Sequence, residues 1–283
     1  MPKLLRECWF ATLIVALLTL WNAAASADAD MPPSFAEAEA LYTEGKFLPS
    51  ASMAWELQTA PGLALAARGL LAYATTTAPP EDRFDLIDRA EELARQALAL
   101  DDTVVEGHLQ LVVAIGHRAK AQGAVMSQIE GLAGKTRSHI DRALELEPDN
   151  PWALAISGGW HMELARRDPI GITVLLFGAR RSTGMADFER ALELDPTNAV
   201  LHVQYGLTLL EARRNKYQDR AIAALEAAAK LSPPGVYDQL IQARGRHVLT
   251  LVDQGDKKPL LRAVRNYNSL NTDNIMPPDL ALP

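Results

Sequence analysis

Beyond its first thirty positions, the chain places apolar residues three and four apart almost continuously. One such stripe is Leu86, Ala90, Leu93, Ala94 and Ala97, with Asp85, Arg89, Glu92 and Arg95 between them. Residues at these spacings share one face of an α-helix, so the pattern predicts helices with one buried side. No stretch alternates apolar and polar positions over a strand's length between turn signals. Pro79-Pro80, Pro148, Pro196 and Pro233-Pro234 interrupt the pattern. Proline lacks the N–H that would continue a helix, so each marks a turn. The expectation is an all-α chain. Its segment 199–212 is apolar around most of its circumference, which predicts burial on more than one side.

The helices repeat. Gln-Ala-Leu-Ala-Leu-Asp-Asp at 96–102, Arg-Ala-Leu-Glu-Leu-Glu-Pro at 142–148, Arg-Ala-Leu-Glu-Leu-Asp-Pro at 190–196 and Ala-Ala-Ala-Lys-Leu-Ser-Pro at 227–233 share one ending. Each closes a helix and opens a turn. Their last leucines, Leu100, Leu146, Leu194 and Leu231, are spaced by 46, 48 and 37 residues.

The ending at 190–196 with Thr197, Asn198 and Ala199 resembles the join between two tetratricopeptide repeats, a family of paired antiparallel helices with a period of about 34 residues. The resemblance covers roughly 34–252 and implies tetratricopeptide-like helical hairpin repeats, stacked as an α-solenoid or a compact helical-repeat bundle. It puts Ala143 and Ala191 at close helix approaches, Ile140 and Phe188 at the large packing position, and Gly158 and Gly206 at the small position of the following helices. A looser unit surrounds the turn at Gly45, Lys46 and Phe47. The long spacings put extra residues at 119–135 and 167–184, between the helices of a repeat.

In that family the first helix of each repeat lines a concave surface where partners bind. The resemblance therefore implies an inner face of Leu109, Val113, His117, Trp152, Ala155, Met162, Glu163, Val200, Val203, Leu207, Leu210 and Glu211. Most of these are apolar. Either further helices of the chain fill the groove, or it is a channel for an apolar small molecule or peptide. His117, Glu163 and Glu211 occupy equivalent positions and would form a polar row at its edge; a salt-bridged edge is the expectation there, with a metal or proton-transfer site as its rival. The insert at 169–178 is apolar and followed by Arg180-Arg181. It reads as a short buried helix closing the groove, or as a lid or membrane-touching hairpin.

The first thirty residues follow a different rule. Lys3 and Arg6 precede the uncharged apolar run Trp9 to Trp21, and Ala25, Ser26 and Ala27 follow it. A basic start, a short apolar core and a small-residue cleavage site in this order predict a signal peptide over 1–27. The run is short for the ~20 residues that span a bilayer. The expected organisation is a signal peptide at 1–27, a helical repeat domain at 28–270 and an extended tail at 271–283, exported to a bacterial periplasm.

Composition narrows the chemistry. The chain carries 28 basic against 35 acidic residues, net −7, which disfavours a nucleic-acid partner. The single cysteine, Cys8, lies inside the expected signal peptide and precludes a disulfide framework. No His-Glu-x-x-His pair, glycine-rich phosphate loop or Gly-x-Ser-x-Gly elbow occurs. Neither catalytic nor metal residues are expected, and no cofactor. Arg166-Arg167 and Arg180-Arg181 read as caps of helix C-termini rather than phosphate ligands. The function expected is a non-enzymatic scaffold binding another protein in the cell envelope. The alternative is a ligand-binding or transport accessory with an apolar groove, resembling repeat proteins that partner tripartite solute transporters; a histidine-dependent enzyme built on His117 and His161 comes third.

Overall fold

The computed structural model describes residues 34–122, 131–167, 172–268 and 276–277. The expected signal peptide and most of the expected tail, together with parts of both inserts, lie outside the described residues.

The described chain is helical throughout: α1 (Phe35–Thr43), α2 (Phe47–Glu56), α3 (Ala60–Thr76), α4 (Arg83–Leu100), α5 (Val105–Gln122), α6 (Leu132–Leu146), α7 (Pro151–Arg167), α8 (Ile172–Phe177), α9 (Arg181–Leu194), α10 (Ala199–Ala229), α11 (Val236–Asp253) and α12 (Lys257–Asn268), with a 3-10 turn at Pro80–Asp82. No strand occurs among these residues. The all-α expectation holds. The turns carry the caps that exposed helix starts need. Thr59 accepts from the Gly62 N–H at 3.2 Å, Asn150 from the N–H groups of Trp152 and Ala153 at 3.0 Å, and Asn198 from Leu201 at 3.2 Å.

Consecutive helices pair as hairpins, α2 with α3, α4 with α5, α6 with α7 and α7 with α9. The expected small and large positions make the close approaches. Ile140, Ala143 and Ala191 are fully buried. A Cβ on Gly158 would lie 2.6 Å from the Phe188 ring and 2.8 Å from the Gly184 carbonyl, so only glycine allows α7 and α9 this near. Burying Phe188 contributes about 2–3 kcal/mol.

Helix α10 covers 31 consecutive residues, yet it is not one straight rod. A Cβ on Gly206 would lie 2.7 Å from Leu225 and 3.1 Å from the Ala221 carbonyl. A straight helix rising 1.5 Å per residue would separate Gly206 from Leu225 by about 28 Å. The segment therefore doubles back on itself, and 199–212 forms the first arm of one more hairpin.

Helices α3, α5, α7 and the first arm of α10 form an inner layer, since α3 touches α5, α5 touches α7, and α7 touches α10. The chain then departs from an open solenoid. Helix α11 packs on α10 and also reaches back to α1 and α3, while α12 covers α10 and α11. At that closing contact Gly45 turns with φ +80° under Val236, whose side chain would clash with any Cβ there. The repeat curls until its last helices meet its first.

Candidate functional site

Closing the curl turns the concave face into a cavity of about 940 Å³. Its walls come from the inner layer, with α11 and α12 across from them. Leu109, Val113, Ala155, Ile156, Met162, Val200 and Leu201 give much of it an apolar surface. A cavity of this size is within the range that holds small organic ligands. The C-terminal helices roof the groove and leave this volume between themselves and the inner layer.

Of the expected inner-face residues, Leu109, Val113, His117, Trp152, Ala155, Met162, Glu163, Val200 and Glu211 line the cavity. Val203, Leu207 and Leu210 do not; they are buried in the core beneath α10. The reason is helical rotation. Cavity-facing positions on α10 run Val200, Leu201, Gln204, Thr208 and Glu211. Val203 lies a further turn round, against Gly245 of α11, where a Cβ would be 2.8 Å from its Cγ2. An arm packed on both sides has two apolar faces, and composition alone does not say which one meets the cavity.

The polar row exists, with its charges paired. Glu163 accepts from Arg166 at 2.8 Å and from Arg167 at 2.5 Å. Arg166 also reaches Glu211 at 3.5 Å, and Asn268 donates to Glu211 at 2.8 Å. Burial would raise the Glu163 carboxyl, but Lys120, Arg166 and Arg167 together hold it below the usual range. His117 is the opposite case. Loss of solvation, with Lys120 and Arg244 nearby, pushes it down to about 3, so it is neutral at physiological pH. Lys120 donates to the Asn268 carbonyl at 3.2 Å.

Sequence reasoning did not find the residues on the closing helices. Arg244, Tyr237, Tyr267 and Asn268 all line the cavity. Arg244 is 3% exposed. It donates to the Thr75 carbonyl, stands 5.5 Å from the centre of the Tyr267 ring, and has a buried Nε–H with no acceptor. Burial draws its guanidinium down to about 10. A signal was present: Leu240, Arg244, Val248 and Leu251 form one stripe of α11, so the cation falls in the middle of an apolar face. At the opposite side Arg68 lies over the Tyr42 ring at 4.5 Å and pairs with Glu106 at 3.4 Å.

Other histidines serve the packing. His161 is outside the cavity lining and accepts from the Arg180 backbone N–H at 3.3 Å, so it is not brought together with His117. His108 and His139, 31 positions apart, meet at 2.9 Å between α5 and α6. No group of three potential metal ligands occurs among the described residues.

Helix α8 corrects the expectation of a buried plug. Thr173, Leu176 and Phe177 line the cavity, yet Leu175 is 84% exposed and Leu176 60%. It forms a rim, with Phe177 edge-on to Trp160 at 6.4 Å. Arg166 and Arg167 sit in the last turn of α7, as expected of a helix end. Arg180 and Arg181 instead begin α9; Arg181 donates across to the Ala165 carbonyl near the end of α7. No helix among the described residues is long and apolar enough to cross a membrane.

The model of the family described as regulator of microtubule dynamics protein 1-3 matches residues 56–253, well over half the chain, and the chain belongs to that family. This corrects the tetratricopeptide resemblance. The shared helix endings reflect hairpin packing, where a small residue and a large one alternate at each close approach, and such packing is not peculiar to one family. The spacings of 46 and 48 residues and the closed curl are where this chain parts from the shorter repeat. No curated protein matches the chain.

Proposed function

We propose that this member of the family is a non-enzymatic binding protein that holds a largely apolar ligand in its cavity. The observation that carries the reading is the cavity itself, about 940 Å³ bounded largely by aliphatic side chains. Covering such a surface with ligand instead of water stabilises a complex by roughly 25 cal/mol per Å² of apolar area, before the cost of association. The family's description speaks of microtubule dynamics; our reading rests on the cavity and not on that name.

The exposed rim at α8 supports it, since Leu176 and Phe177 lie both on the surface and on the cavity wall. Glu163 and Glu211 paired with Arg166 and Arg167 leave an edge with no net charge, which an apolar chain can pass. A naphthylamine-type fluorescent probe is expected to bind the full chain saturably and to be displaced by hexadecan-1-ol. Ala155→Trp, which puts an indole into the cavity from a wall residue, is expected to abolish probe binding while helical circular dichroism is retained. Undiminished binding in that variant would overturn the assignment to this cavity.

The start of the chain, Lys3 and Arg6 followed by an apolar run and Ala25-Ser26-Ala27, supports a place outside the cytoplasm, with the periplasm as the compartment. The protein recovered from that compartment is expected to begin at Asp28. Recovery of intact Met1 from the cytosol would remove the export reading and leave the cavity reading standing.

A further inference from the structure

Arg244 is the least compensated charge in the cavity. It is 3% exposed, and taking an ion of this size out of water costs several kcal/mol unless an opposite charge meets it. Among the described residues no carboxylate pairs with it. Its guanidinium has the Thr75 carbonyl on one nitrogen, the Tyr267 ring 5.5 Å away, and an Nε–H that is buried without an acceptor. Three glutamates line the same cavity, and each already has its cation: Glu163 has Arg166 and Arg167, Glu211 has Arg166, and Glu106 has Arg68. Asp238 also lines the cavity, and Lys120 has a backbone carbonyl as its partner, but both are less buried; Arg244 is the deeply buried cation there that meets no carboxylate.

A guanidinium is flat, with N–H groups paired along its edges, and it takes the two oxygens of a carboxylate or a phosphate in bidentate fashion. One guanidinium at this depth balances one negative charge. Lys120, the next cation along the wall, is turned to the Asn268 carbonyl. A phosphate monoester would bring a second charge and oxygens out of the plane, so a single carboxylate is the better match.

We infer that Arg244 binds the head of the ligand, and that the ligand is a single-chain amphiphile carrying one carboxylate, its tail lying along Leu109, Val113, Ala155 and Met162. The inference rests on the cavity reading above and adds the chemical class. The neutral His117 also lines the cavity, near Lys120 and Arg244, and does not compete for the head's charge.

The test uses the full chain stripped of bound lipid, titrated with palmitate, hexadecan-1-ol and hexadecyl phosphate. Palmitate is expected to bind at least about tenfold tighter than hexadecan-1-ol, the gain of a charge-assisted pair at a buried guanidinium. In Arg244→Met that preference is expected to vanish, palmitate affinity falling to that of hexadecan-1-ol. Should that variant fail to fold, the palmitate-to-hexadecanol ratio in the unaltered chain decides the matter alone. Equal affinity for palmitate and hexadecan-1-ol would overturn the carboxylate inference and leave the apolar cavity intact. Tighter binding of hexadecyl phosphate than palmitate would overturn it too. If neither palmitate nor hexadecan-1-ol binds, both readings fall.

Discussion

Two polar places in one cavity are built on opposite principles. On α7 and the first arm of α10, Glu163 and Glu211 face each other through Arg166, with Arg167 and Asn268 completing the network. These groups are half-buried and mutually satisfied, so they hold two helices of the inner layer in register. On α11, Arg244 is buried far more deeply and has a backbone carbonyl but no counter-charge. A paired network of that kind stabilises the protein as it stands. A lone buried cation costs stability until something else supplies the charge. The contrast separates groups that serve the fold from a group that serves a ligand.

Mutation of the two places should therefore give unequal answers. The largest effect is expected at the paired end. Glu163→Gln leaves Arg166 and Arg167 without their shared anion and should lower unfolding stability by about 1–2 kcal/mol in urea titration at neutral pH. The dependence on pH follows from the lowered Glu163 value. Its contribution is present above the ordinary carboxylate range and is lost as pH falls through the depressed value, so the variant and the original chain should converge in acid. A stability difference that persists unchanged at low pH would show that the ion pairs are not its source.

An effect that is small at neutral pH and grows only in acid is expected from the histidine between the two places. His117 titrates near 6.5 when unfolded and about 3 when folded, so between those values the unfolded chain binds the extra proton. Stability should fall as pH drops from 6.5 toward 3, by at most about 1.4 kcal/mol per pH unit from this group. His117→Gln should flatten that part of the profile, measured as melting temperature against pH. The smallest effect is expected at Arg244. In ligand-free protein Arg244→Met exchanges a carbonyl hydrogen bond for relief from an unpaired charge, and the net change should stay within about 1 kcal/mol. A loss larger than that of Glu163→Gln would mean that Arg244 is a structural strut, and the contrast between the two places would collapse.

Much of the fold was readable along the chain because hairpin packing is local. Ile140 with Ala143, and Phe188 with Ala191, lie on helices followed by partners close in sequence, and the glycines at 158 and 206 mark where those partners touch. A repeated ending is enough to recognise this, although it led to the wrong family name. The placement of residues around the cavity has the same origin. Leu109, Val113 and Met162 were placed by counting along helices exposed to the groove on one side. Val203, Leu207 and Leu210 lie in the core instead because α10 is covered on two sides, and an apolar pattern does not record which cover is protein and which is cavity. The α8 rim failed for a related reason: an apolar run of six residues predicts a helix, but its burial depends on what reaches it.

Helices, turns and hairpin pairing follow from the order of residues alone, since each depends on neighbours within a few tens of positions and on backbone groups that must be capped or bonded nearby. Curling of the stack into a closed form emerged only in three dimensions, because it rests on contacts such as Gly45 with Val236 and Arg244 with Thr75, between opposite ends of the described chain. That closure roofs a groove into a cavity and buries a cation in its wall, and a charge's meaning changes with the solvent removed around it.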